Sequence, residues 1–326
     1  MRAVLCREFA DPARLEIAEL PAPPMTPGGV RVAVHAIGVN FADLLIVQGK
    51  YQEKPPLPFI PGFEIAGVVS ELGPGAKGVK LGDRVVGNMP HGAYADEAVL
   101  PADNVMTLPD GMDFGLAAGF PVAYGTSHGA LEWRAHLQSG ETLLVLGAAG
   151  GVGLTAVEIG KAMGATVIAV AGGPEKLAIA KRQGADHTID YAREDLRARI
   201  KEIVGNRGVD VIYDPVGGDA FDQALRSVAW QGRVIIIGFA SGKIPQIPAN
   251  IVLVKNCDVI GYYWGSYRAH KPALVNQSIR TLLGWFAAGK LKPHVSHRLD
   301  LAEAGQALEL LRTRKATGKV ILTTGR

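Results

Sequence analysis

The sequence predicts an α/β protein, a doubly wound parallel sheet preceded by a β-rich unit. Three observations carry this. From about residue 123 to 260, short apolar runs alternate with helical stretches, the pattern of a parallel sheet flanked by helices. Residues 142–153 read Thr-Leu-Leu-Val-Leu-Gly-Ala-Ala-Gly-Gly-Val-Gly, a strand running straight into a glycine-rich turn. Residues 1–120 are punctuated by Pro and Gly turns at Pro21-Ala-Pro-Pro24, Pro27-Gly-Gly29, Pro55-Pro56 and Gly73-Pro-Gly75. That spacing fits a barrel-like or irregular all-β unit.

The elements follow in order. The chain opens on a strand-like run at 2–6. Parallel strands are expected at 142–147, 166–171, 187–190, 209–214 and 233–238, with a sixth near 258–262. Helices are expected at 152–163, 175–183, 193–204 and 219–228, and later at 275–288 and 301–313, before a closing strand at 319–323. A chain of 326 residues is too long for one typical core and suits two domains. A net charge of +3 is too small to argue for nucleic acid or a membrane surface. Glu158 and Lys161 interrupt the most apolar helix, so no membrane span is expected. The N-terminus lacks a signal-peptide pattern. Cys6 and Cys257 sit in apolar strand-like contexts, and a cytoplasmic protein with reduced thiols is expected.

The strand, glycine turn and following helix form the arrangement in which backbone N–H groups meet the pyrophosphate of a dinucleotide. Gly150 and Gly151 let the backbone approach the phosphates, and Gly153 lets the helix pack close on the strand. Ala148 stands where the strict glycine pattern begins, with Ala149 and Val152 completing the turn. An NAD-selective site places a carboxylate at the tip of the second strand, roughly twenty residues past the turn. Here the chain reads Ala171-Gly172-Gly173-Pro174-Glu175-Lys176. Small residues leave room for a 2′-phosphate, and Lys176 in the first helical turn would attract it, so NADPH is the expected cofactor.

Gly38-Val-Asn-Phe-Ala-Asp43, Pro61-Gly-Phe-Glu64, Leu81-Gly-Asp-Arg-Val85, the 147–153 turn and Gly232-Arg-Val234 occur in order. Together they resemble the zinc-free quinone oxidoreductase branch, related to zeta-crystallin, of the medium-chain dehydrogenase/reductase superfamily. The resemblance implies a GroES-like catalytic domain at 1–122, a Rossmann NADPH-binding domain at 123–262, and a segment 263–326 returning to the catalytic domain. It places the cofactor between the two domains. The superfamily's zinc enzymes hold metal with a Cys where this chain resembles them at Asn40 and a His at Phe63. Asn is a poor zinc ligand and Phe is none, so no metal site is expected. The pair His294-x-x-His297 reads as solvated or otherwise satisfied, without a metal.

Without a Lewis acid, the fitting hydride acceptors are already electron-poor: quinones and conjugated carbon–carbon double bonds. In the resembling enzymes the segment 40–51 floors the site. Asn40 can donate and accept hydrogen bonds, Asp43 can orient it, and Tyr51 can contact nicotinamide or donate a proton. Carried over by position, Thr126 faces the nicotinamide, while His128 stands where relatives often have Tyr. Tyr191 lies near the adenosine phosphate, and Val216 and Gly217 flank adenine or ribose. Gly238, Phe239 and Ala240 line the nicotinamide ribose, and Tyr262, Tyr263 and Trp264 pack near the nicotinamide. The reading is an NADPH-dependent reductase of quinones or related electron-poor small molecules. An enone or 2-enoyl-thioester reductase and a non-catalytic dinucleotide-binding structural or sensor protein are the alternatives. The run 258–262 reads as an apolar sheet edge, and the resemblance implies a homodimer paired along it near Val259.

Overall fold

A computed structural model describes all residues 1–326. The chain forms two compact units: Met1–Ala123 with Pro272–Ala288 and Pro293–Arg326, and Tyr124–Lys271 with Gly289–Lys292. The first unit begins with strands β1 (Arg2–Leu5), β2 (Glu16–Glu19) and β3 (Gly29–Val39), followed by helix α1 (Phe41–Val47). Strands β4 (Glu64–Leu72), β5 (Arg84–Asn88), β6 (Glu97–Pro101) and β7 (Val105–Thr107) come next, then short helix α2 (Phe114–Ala118). Helix α3 (Pro121–Gly129) carries the chain into the second unit.

There, β8 (Thr142–Leu146), α4 (Gly151–Ala162), β9 (Thr166–Ala171), α5 (Pro174–Arg182), β10 (His187–Asp190) and α6 (Leu196–Val204) alternate. They continue as β11 (Val209–Asp214), α7 (Gly218–Arg226), β12 (Val228–Ile236), α8 (Ala249–Lys255), β13 (Asp258–Gly261) and α9 (Trp264–His270). The six strands are parallel in the order β10-β9-β8-β11-β12-β13. Every residue of β8 is buried, as a central strand covered on both faces requires. Strand order reverses beside β8, so the glycine turn leaves the sheet at its switch point.

The chain returns to the first unit through α10 (Pro272–Ala287), β14 (Val295–Asp300), α11 (Ala304–Arg312) and β15 (Lys319–Thr323). Strand β15 pairs antiparallel with β3, inserting the C-terminal strand into the sheet β14-β15-β3-β4-β5-β7. The core there is built from Val32, Val34, Ile37, Ile65, Val85, Leu100, Val320 and Leu322.

Several expectations change. Strand β12 starts at Val228 instead of 233, because the Trp230-Gln231-Gly232 step that reads as a turn is a bend inside the strand, with Gln231 at φ 59°. Helix α6 starts at Leu196, where Asp195 caps it by accepting from the Ala198 N–H at 2.7 Å. Helices α8 and α9 were not expected: each is seven residues long, and α8 carries a continuous apolar run at 251–254 in place of a helical stripe, with Ile251 and Val252 packed on the core. Strand β14, which carries His297, was also unexpected. The second unit continues past residue 262 to Lys271, since Tyr267 packs on Trp133 and Tyr262 with ring centroids 5.2 and 5.3 Å away. Glu158, the charge that interrupts α4, is buried: it accepts from the Tyr124 hydroxyl and from the Lys292 N–H at 2.6 Å. No helix is long and apolar enough to cross a membrane.

Candidate functional site

The glycine turn is shaped by its own backbone. Gly147 has φ 60°, and a Cβ on Gly153 would lie 2.2 Å from the Gly147 carbonyl oxygen. Gly153 is therefore the close-packing glycine. Gly150 stands at the N-cap of α4 with no side chain to cap it, leaving first-turn N–H groups of Gly151, Val152 and Gly153 for an anion. Ala148 and Ala149 are buried, and the Ala148 N–H is tied to the Val170 carbonyl at 3.0 Å. A hydroxyl hub that sequence reading missed holds the turn from behind. Ser127 Oγ donates to the Val152 carbonyl at 2.8 Å and meets Thr155 Oγ1 at 2.8 Å and Tyr213 Oη at 2.9 Å. These residues lie on three separate elements, so no local pattern announces them.

At the adenosine end the structure brings Gly172 and Tyr191 together: a Cβ on Gly172 would lie 3.0 Å from the Tyr191 hydroxyl. Tyr191 is half exposed, and Lys176 lies in the first turn of α5 with Pro174 leading it. The tip of β9 lacks a carboxylate, but the neighbouring strand supplies one. Asp190 Oδ1 accepts from the Gly173 N–H at 3.1 Å and the Ala192 N–H at 3.0 Å. Those bonds, the Gly173 one foremost, hold its carboxyl below the usual range.

Asp214, at the end of β11, organises two of the expected cofactor loops. Its Oδ1 accepts from the Val216 N–H at 2.8 Å and the Gly217 N–H at 2.9 Å. Burial pushes its carboxyl up to about 6, and its Oδ2 has no partner. Ala240 and Ser241 donate to the Pro215 and Val216 carbonyls at 3.1 and 2.9 Å, so the 238–241 loop lies on the 215–217 loop. Phe239 closes on Gly217, where a Cβ would meet its ring at 3.3 Å.

Tyr262 and Trp264 cover α3. Added Cβ atoms on Gly129 and Gly125 would lie 2.1 Å from the Tyr262 hydroxyl and 3.0 Å from the Trp264 indole nitrogen. Both polar atoms are buried without a hydrogen-bond partner. Tyr263 instead turns its ring onto Gly265. Thr126 is buried on the same helix, as is His128, whose ring meets Trp133 edge-on and whose pKa burial lowers from the ordinary histidine value.

In the first unit, Asn40 starts α1 and is nearly buried. Its Nδ2 donates to Glu64 Oε1 at 2.8 Å, and its Oδ1 accepts from Lys319 Nζ at 2.7 Å. Asp43 lies directly beside Asn40. It is fully buried, with Oδ2 accepting from the Asn40 N–H at 2.7 Å and from the Tyr94 hydroxyl at 3.1 Å. It thus orients the Asn40 backbone and presents nothing to a substrate. Burial pushes its carboxyl up to about 7. Tyr51, half-buried, sets its ring 6.0 Å from that of Phe63.

A catalytic zinc does not fit these residues. Phe63 offers no donor atom, the Asn40 oxygen already receives an ammonium, and the same ammonium stands on Glu64 Oε1 at 2.9 Å. No group of three or more His, Cys, Asp or Glu comes together to hold a metal.

Family models match twice: residues 26–110 fit the alcohol dehydrogenase GroES-like domain, and residues 151–283 fit the zinc-binding dehydrogenase domain. The chain is 44% identical over 326 residues to the quinone oxidoreductase-like protein 2 homolog of Nematostella vectensis, covering 99% of this chain and 89% of the relative. This chain belongs to the medium-chain dehydrogenase/reductase superfamily, among the quinone oxidoreductase-like proteins. It is 35% identical to the quinone oxidoreductase of Pseudomonas aeruginosa, covering 96% of this chain and 97% of that one. The Escherichia coli quinone oxidoreductase solved in complex with NADPH superposes with a TM-score of 0.92 at 31% identity, covering 99% and 100% of the two chains. The GroES-like and Rossmann architecture is that of the family, and the chain is an oxidoreductase.

Proposed function

We propose that this oxidoreductase uses NADPH to reduce quinones and related electron-poor small molecules without a metal. The observation that carries the reading is the chemistry of the Asn40 site. A dehydrogenase oxidising alcohols with zinc needs a Lewis acid for the alkoxide, and here the ligand positions hold an engaged amide and a phenyl ring. Bound NADPH would supply the hydride. The chain's contribution is then orientation and exclusion of water. First-turn N–H groups of α4 hold the pyrophosphate, and the loops tied by Asp214 shape the ribose pocket. Tyr51 offers an O–H donor toward the oxygen that gains charge as hydride arrives, while Asn40, whose amide N–H groups go to Glu64 Oε1 at 2.8 Å and the Gly38 carbonyl at 3.5 Å, shapes the floor of the site. Lys176 and Tyr191 receive the 2′-phosphate. Asp190 is close, but its charge is drawn onto two N–H groups, which limits repulsion.

The relatives' names and the NADPH-bound E. coli structure support this reading. A cytoplasmic homodimer completes the proposal. Strand β13 pairs only with β12, and Trp230, Leu253 and Val254 are exposed on the adjoining elements β12 and α8. An uncovered apolar edge of this kind suits a second copy.

Stopped-flow oxidation of NADPH against quinones, enones and enoyl thioesters tests the activity, before and after chelator dialysis. Rapid quinone-dependent oxidation unchanged by chelator is expected. Turnover confined to enones or enoyl thioesters would move the assignment to the double-bond reductases. No turnover with any acceptor, alongside tight NADPH binding, would favour a structural or sensing role.

A further inference from the structure

Lys319 opens β15 and lies 255 residues from Glu64 in sequence, yet its Nζ is buried against that carboxylate. All three of its N–H bonds are used: on the Val39 carbonyl at 2.9 Å, Asn40 Oδ1 at 2.7 Å and Glu64 Oε1 at 2.9 Å. Glu64 is equally committed. Its Oε1 also accepts from Asn40 Nδ2 at 2.8 Å, and its Oε2 from the Val122 N–H at 2.7 Å. The lysine and glutamate side chains are 6% and 0% exposed.

Two glycines make room for this pair. A Cβ on Gly38 would lie 2.2 Å from Glu64 Oε1, and one on Gly119 would lie 3.0 Å from the Lys319 stem. A buried ion pair of this kind contributes little net stability compared with apolar residues of the same volume. What it does fix is orientation. Flipping the Asn40 amide would set its NH₂ against the ammonium and its oxygen against the carboxylate, two repulsive contacts in place of two bonds. Asp43 completes the frame by holding the Asn40 N–H.

We propose that Lys319 is a positioning residue of the reaction, its ammonium locking the Asn40 carboxamide in one orientation without a metal. Glu64 is its counter-ion and second lock. The inference rests on the reductase reading above. It also accounts for the zinc positions: a dication would have to displace an ammonium already hydrogen-bonded to two of the available oxygens.

The test removes both charges together, since Lys319→Met alone leaves Glu64 buried and unpaired. Glu64→Gln/Lys319→Met should unfold within a few degrees of the wild type. At that matched stability, kcat for quinone reduction should fall at least 30-fold, with NADPH affinity and quinone KM within about 3-fold. Glu64→Gln/Lys319→Gln, which keeps polar side chains in place, gives the same reading if the Met form does not fold. A stable double variant with kcat within 3-fold of wild type would overturn the proposal and leave Lys319 as packing. Wild type lacking NADPH–quinone turnover would instead defeat the reductase reading, so the two failures are distinct.

Discussion

Replacing Gly153 with alanine puts a methyl group where the turn's own carbonyl stands. The new Cβ would lie 2.2 Å from the Gly147 oxygen and 2.8 Å from its carbon, with Ala148 Cα at 3.0 Å. All three are backbone atoms, so no side chain can swing away, and the start of α4 must retreat by about 1 Å to restore van der Waals separation. Overpacking of this kind costs about 1–3 kcal/mol, here toward the upper end because the obstacle is rigid. Alanine's helix propensity returns about 1 kcal/mol, leaving a net loss near 2 kcal/mol. In a domain of about 150 residues that corresponds to a fall in Tm of about 4–8 °C. The displaced N–H groups should weaken NADPH binding about tenfold or more. Gly150→Ala is the paired experiment. Its φ of −81° suits any residue, and an added Cβ meets only the Gly147 oxygen at an ordinary 3.4 Å. Its Tm should stay within about 1 °C while NADPH affinity drops about tenfold, because that methyl group faces the phosphates. Differential scanning fluorimetry and nicotinamide fluorescence titration read both quantities. An unchanged Tm for Gly153→Ala would refute the close-packing argument, and undiminished NADPH affinity in Gly150→Ala would refute the placement of the pyrophosphate.

Other expectations concern single groups. NADPH should be preferred over NADH by about 10- to 100-fold, about 1.4–2.8 kcal/mol; Lys176→Ala should weaken only NADPH binding and Ala171→Asp should invert the preference, whereas equal weakening of both cofactors by Lys176→Ala would show that the 2′-phosphate sits elsewhere. Tyr51→Phe should leave quinone reduction within about tenfold; a loss of about a hundredfold with enones and intact NADPH affinity would mark Tyr51 as a proton donor to a double bond. Ile260→Lys should split the dimer in sedimentation at micromolar concentration, and a wild-type monomer would dispose of the edge pairing. Asp214 carries a pH signature: its native carboxyl is raised to about 6 from 3.8, so the folded state binds the proton more tightly. That stabilisation is complete below pH about 4 and is lost as pH rises through about 6, amounting to about 3 kcal/mol at 1.36 kcal/mol per pH unit. Urea unfolding of wild type against Asp214→Asn should therefore show wild type losing ground by up to that amount between pH 4 and 7; a constant difference would mean that the carboxyl titrates normally.

The sequence by itself determined the features whose causes are local. The run 142–153 reads as strand, turn and helix because apolar burial, φ freedom and helix initiation act over a few residues, and β8, Gly147 and α4 follow it closely. The alternation of the second unit was legible for the same reason, and the edge position of β13 follows from its place as the last strand of the parallel series. The seven-residue helices α8 and α9, too short to show a helical period, were not legible. The tertiary structure alone decided which distant groups meet. Sheet order puts β10 beside β9 and so delivers Asp190 to the Gly173 N–H, although the tip of β9 itself ends in alanine and glycine. Packing of α3 against α4 and β11 gathers Ser127, Thr155 and Tyr213 behind the turn. Insertion of β15 next to β3 carries Lys319 onto Asn40 and Glu64. An isolated lysine ahead of an apolar strand has no sequence signal for such a role. Its partner is fixed by strand pairing across hundreds of residues, and only the folded chain makes that pairing.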